Sequence, residues 1–76
     1  MIELFHATND ADSAAARKRV VDRALVEKIR FRNVFYDEVK ADFAARGGTT
    51  LPALWDGERL HQGLDAVLLA LSAIAE

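Results

Sequence analysis

The sequence predicts an α/β domain: a mixed four-stranded sheet flanked by helices, in the order β-α-β-α-β-β-α. Three observations carry this expectation. Two short apolar runs, Ile2–His6 and Ile29–Phe35, are separated by a helical stripe, the pattern of two parallel strands joined through a crossover helix. The run Leu51–Trp55 ends in Asp56-Gly57, a dipeptide that turns one strand back on the next. Leu64, Val67, Leu68, Leu71 and Ile74 then recur at the spacing of a helix with one apolar face.

Taken in order, Ile2, Leu4 and Phe5 make the first strand. Thr8 to Ser13 supplies several capping side chains, and Asp10 and Asp12 suit the positive end of a helix. That helix is expected from about Asp12 to Val26, with Ala16, Val20, Val21, Ala24 and Leu25 on its apolar side and arginines opposite. In the second strand Ile29 and Phe31 alternate with Arg30 and Arg32. The pattern breaks at Asn33, which suggests a bulge or a strand end. Asp37 caps a short helix running to Arg46, with Val39 and Phe43 on one face, and Gly47 stops it in a left-handed conformation. Leu51–Trp55 and Glu58–His61 form the hairpin, and the closing helix begins at Leu64. The crossover between the first two strands is expected to be right-handed.

Seventy-six residues make one domain, residues 1–76. A chain of this size buries only about 60% of its unfolded surface, so its stability is expected to be about 5 kcal/mol. Apolar residues are 51% and charged residues 29%, a globular rather than a disordered composition. No leader pattern opens the chain and no apolar run is long enough to cross a bilayer, so a cytoplasmic location without membrane contact is the expectation. The net charge is −2, unevenly spread: seven of the ten basic residues lie between residues 17 and 32, against Asp22 and Glu27. This basic stretch reads as a solvated face of one helix and the strand after it. It lacks the interleaved aromatics of an RNA-binding surface, so nucleic acid is not an expected partner.

Three stretches carry a resemblance to a known family. They are Leu4-Phe5-His6-Ala7, then Leu51-Pro52-Ala53-Leu54-Trp55-Asp56-Gly57-Glu58, and finally His61-Gln62-Gly63-Leu64-Asp65. Together they resemble the first strand, the Val-Pro strand with its Asp-Gly turn, and the Gly-Gly-x-Asp segment of glutaredoxins, within the thioredoxin-like superfamily. Gln62 stands in place of the first glycine. The resemblance covers nearly the whole chain and implies a thioredoxin-like fold. It also implies a cis Leu51-Pro52 bond that leaves the Leu51 backbone open to an extended peptide or thiol ligand.

The same resemblance shows what is missing. Asp10-Ala11-Asp12-Ser13 falls where the family's Cys-Pro-Tyr-Cys motif would lie, and the chain contains no cysteine. Disulfide exchange needs a thiolate, so thiol–disulfide oxidoreductase activity is not expected. Ala7 replaces the basic residue that glutaredoxins often carry before the motif, which weakens the case for glutathione as a ligand. The expected function is that of a cysteine-less, non-catalytic domain binding a peptide or protein partner. Its groove would lie between Asp10 and Ser13 at the first helix start, Leu51 and Pro52, and Gly63, Leu64 and Asp65. The alternative is a binder of glutathione or another small thiol. It would resemble the N-terminal domain of glutathione transferases, some of which use a serine at this helix start, here Ser13.

Other constellations are weaker. His6 and His61 with Asp10 or Asp12 could compose a two-histidine, carboxylate metal set, but their spacing has no metal signature and no metal is expected. Ser13, His6 and an aspartate lack any nucleophile elbow. Asp65 reads as a first-turn carboxylate, and Trp55 and Phe35 as core aromatics.

Overall fold

The computed structural model describes residues 1–75. Its elements are β1 (Ile2–His6), α1 (Ala11–Asp22), β2 (Ile29–Asn33), α2 (Asp37–Ala45), β3 (Ala53–Trp55), β4 (Leu60–Gln62) and α3 (Leu64–Ala75). The strands form one mixed sheet in the order β2-β1-β3-β4. β1 runs parallel to β2, from Ile2 opposite Ile29 to His6 opposite Asn33. β3 is antiparallel to both β1 and β4. The chain is thus an α/β domain with a mixed four-stranded sheet and three helices.

Alternation along the central strand assigns a core to each face of the sheet. Leu4 points to one side, where it is buried with Ala16 and Val20 of α1, Ile29, Leu54, and Val67 and Leu71 of α3. Phe5 points to the other, with Val39 and Phe43 of α2 and Ala53. Its ring centroid lies 5.2 Å from that of Phe43. Two helices therefore cover one face and a single short helix covers the other.

Several expected boundaries move, each for a local reason. α1 stops at Asp22 rather than near Val26 because Ala24 takes a left-handed conformation, φ 57°. The Ala24 N–H then bonds Val21 C=O at 3.0 Å and the Leu25 N–H bonds Val20 C=O at 2.9 Å, closing the helix end. β2 ends at Asn33, whose side chain accepts from the Phe35 N–H (3.0 Å) and whose carbonyl accepts from the Tyr36 N–H (3.3 Å). The turn carries Phe35 into solvent at 77% exposure, so it is not a core residue; Trp55 is partly buried against the second core. Tyr36 rather than Asp37 is the N-cap of α2. Gly47 does end α2 with φ 82°.

The hairpin also differs. Asp56 Oδ1 accepts from the N–H groups of both Glu58 and Arg59, which lengthens the turn and moves β4 to Leu60–Gln62. β3 begins only at Ala53.

Arg32 is the larger correction. The sequence places it on a solvated face, yet it is 9% exposed, on the α2 side of the sheet. Its guanidinium pairs with Glu3, itself 5% exposed, and with Asp42 at 2.7 Å. Arg46 closes on the other Glu3 oxygen at 2.5 Å and lies 4.8 Å over the Trp55 ring. Burial alone would raise the Glu3 carboxyl; the Arg46 and Arg32 guanidiniums outweigh it and hold the group below its ordinary range.

Candidate functional site

All three helices begin at one end of the sheet. The strands β1, β2 and β4 point the same way, and each is followed by a helix whose start lies at that end. The start of β3 is there too, because β3 runs opposite to β1. This end collects every residue that the sequence singles out as a ligand contact.

The β1–α1 turn is built by three side chains. Asp10 is the N-cap of α1 and accepts from the Ser13 N–H at 2.9 Å and the Ser13 hydroxyl at 2.7 Å. These bonds, first that of the hydroxyl and then that of the amide, lower the Asp10 carboxyl below its ordinary value. Ser13 is fully buried, and its oxygen also accepts from the Ala7 N–H at 3.1 Å. Its one proton and an acceptor lone pair are thus committed inside the turn. Arg17, one helical turn after Ser13, donates to Ala7 C=O and to His6 Nδ1, both at 3.0 Å. Because guanidinium only donates, His6 Nδ1 accepts and the neutral ring carries its proton on Nε2. Burial, and then the Arg17 charge, lower the His6 pKa. Arg17 was not among the expected contacts; its spacing of four from Ser13 puts both on one helix face.

An open depression of about 480 Å³ lies between the starts of α1 and α3, lined by Asp12, Gln62, Gly63, Leu64, Asp65 and Ala66. Gly63 adopts φ 91° there, and its N–H bonds Pro52 C=O at 2.9 Å. The Leu51–Pro52 peptide bond is cis. Pairing between β1 and β3 stops at Phe5–Ala53, and among the described residues no backbone group pairs with the N–H or C=O of Leu51. Gln62 clamps the approach to this segment. Its side-chain oxygen accepts from the N–H groups of Thr49 (2.8 Å) and Thr50 (3.0 Å), and its amide nitrogen donates to Gly47 C=O at 3.3 Å.

The structure thus brings Gly63, Leu64 and Asp65 together around one depression, with Asp12 opposite. Leu51 and Pro52 adjoin it through the Pro52–Gly63 bond without lining it, and Asp10 and Ser13 turn into the base of α1. Asp12 and Asp65 are its charged residues, so the depression is acidic. Gln62, a mere departure from the family pattern in sequence, is the residue that holds the loop. His6 and His61 do not meet: His61 Nε2 lies 2.8 Å from Asp56, in the hairpin at the opposite end of the sheet.

No protein-family model matches the chain, and no curated protein matches it at a significant level.

Proposed function

We propose that the chain is a glutaredoxin-like, thioredoxin-fold domain without redox cysteines, and that it holds an extended peptide segment of a protein partner, not nucleic acid or a membrane, in the cytoplasm. The observation that carries this reading is the acidic depression between the starts of α1 and α3, beside a Leu51 backbone that has no backbone partner among the described residues. A segment lying there would pair its backbone with Leu51 and set a side chain over Gly63 and Leu64. Two carboxylates at the rim favour neutral or basic segments and oppose glutathione, which is itself an anion. The buried Ser13 hydroxyl, already bonded at both ends, argues against the small-thiol alternative.

Amide chemical shifts of the labelled chain test the proposal. Titration with a pool of extended peptides should move the signals of Leu51, Gly63, Leu64 and Asp65, while millimolar glutathione leaves them in place. Movement with glutathione alone would reassign the depression to a small thiol. If neither ligand moves those signals, the groove has no such role.

A further inference from the structure

The opposite edge of the sheet offers a second site. β2 is an outer strand five residues long, whereas the other outer strand, β4, has three. The bond from the Val34 N–H to His6 C=O (3.0 Å) fixes which backbone groups face inward. Groups alternate along a parallel strand, so Arg30 and Arg32 turn their N–H and C=O to β1, while Ile29 and Phe31 turn theirs outward. Among the described residues no hydrogen bond occupies those outward groups.

Apolar surface collects along this edge. Phe31 is 38% exposed, Phe35 77% and Tyr36 56%, with the last two rings packed edge to face. At the end of β2 a depression of about 430 Å³ opens beside Asn9, Asn33 and Phe35. Lys40 is its one charged lining residue among those described. Lys28, Arg30 and Lys40 form no ion pair among the described residues, with Glu27 the single acid of the Glu27–Asn33 segment. Asp37 and Glu38 stand in the first turn of α2, where the helix dipole attracts them.

We propose that the outer edge of β2 is a docking site for an acidic, extended peptide. The peptide adds as a fifth strand through the outward groups of Ile29 and Phe31, lays apolar side chains on Phe31 and Phe35, and places a carboxylate beside Lys40. A second copy of this chain does not fit. Two-fold pairing about Arg30 sets it opposite itself, and pairing about Ile29 sets Lys28 opposite Arg30 of the other copy, so unpaired like charges meet. The site is separate from the acidic depression and has the opposite charge.

The test uses the full chain with a short peptide alternating glutamate and valine, and its counterpart alternating lysine and valine. The glutamate peptide should shift the amides of Ile29, Phe31 and Asn33 and slow hydrogen exchange at Ile29 and Phe31; the lysine peptide should do neither. Lys40→Glu and Phe31→Asp should each weaken binding about tenfold or more, with circular dichroism checking that both variants remain folded. Equal response to both peptides, no response at millimolar peptide, or shifts gathered at Gly63–Asp65 would overturn the proposal. So would concentration-dependent shifts of these amides without peptide, which would mark self-association.

Discussion

Glu3 is a carboxylate that the first strand carries out of water, and its two oxygens meet the guanidiniums of Arg32 and Arg46. Such an arrangement adds little net stability over an apolar one, yet breaking it leaves buried charge without a partner, which costs about 3–5 kcal/mol. That is comparable with the whole stability of about 5 kcal/mol expected of a domain this small. Glu3→Gln leaves Arg32 with the Asp42 carboxylate alone and Arg46 partly in water, so it should cost part of that amount and lower the melting point in urea and thermal denaturation without unfolding the chain. Arg46 is 28% exposed on its side chain, so its removal should cost less. A Glu3→Gln variant as stable as the parent would show that Asp42 alone satisfies Arg32. His6 adds a pH dependence of definite sign. Its pKa lies below 6.5 in the folded chain, so the unfolded chain takes up a proton more readily. Its contribution is complete above that ordinary value and declines as pH falls through 6.5 towards the folded value. Glu3, Asp10, Asp42 and Asp56 are also lowered on folding, and they withdraw stability only as pH falls through about 4. Melting temperature should thus fall in two stages on acidification. His6→Gln, which keeps an acceptor for Arg17, should abolish the first stage and leave the second.

At the scale of the elements, the two helix ends that lead into solvent loops use the same geometry with different residues. α2 ends on Gly47, φ 82°, followed by a Gly48 N–H bond to Phe43 C=O at 2.9 Å. α1 ends on Ala24, φ 57°, followed by the corresponding Leu25–Val20 bond. A β-carbon in the left-handed region costs about 1–2 kcal/mol, against the roughly 0.5–1 kcal/mol that glycine loses to chain entropy. Ala24→Gly should therefore stabilise the protein by up to about 1 kcal/mol, and Gly47→Ala should destabilise it by a similar amount. Equilibrium denaturation reads both, and a destabilised Ala24→Gly variant would contradict the argument. The comparison also explains which boundaries were legible in the sequence. Gly47 announces its helix end, whereas an alanine in the same conformation carries no signal, so α1 reads as longer than it is. The Asp56-Gly57 step announces a turn, but not that the Asp56 side chain would bind two further amides and lengthen it. Hydropathy assigns Phe31 inward and Arg32 outward. The structure buries Arg32 because Glu3, 29 residues earlier in the chain, lies on the adjacent strand and on the same face.

Across the whole molecule the two faces of the sheet are held unequally. α1 and α3 pack against each other and share the larger core, built on Leu4, Val20, Leu54, Val67 and Leu71. α2 covers the other face alone through Val39 and Phe43, helped by the Asp42–Arg32 pair and Arg46. It has nine residues, and its N-cap, Tyr36, makes no side-chain capping bond. The same geometry limited what the sequence could reveal of the candidate site. Gly63, Leu64 and Asp65 were legible because they open a strongly periodic helix. The roles of Gln62 and Arg17 were not, since each depends on a loop brought from elsewhere in the chain. An element with few buried contacts opens before the rest of a domain, with an opening free energy below the global value. Native-state hydrogen exchange should accordingly find the amides of Lys40 to Arg46 opening at least about 1 kcal/mol more easily than those of Leu4 and Phe5 in β1. Phe43→Ala removes the main anchor of α2. It should widen that gap while leaving the relative protection of α1 and α3 unchanged, because their contacts lie across the sheet. Equal opening energies in all elements would mean that the buried Glu3 network couples α2 to β1 so tightly that the two cores unfold as one.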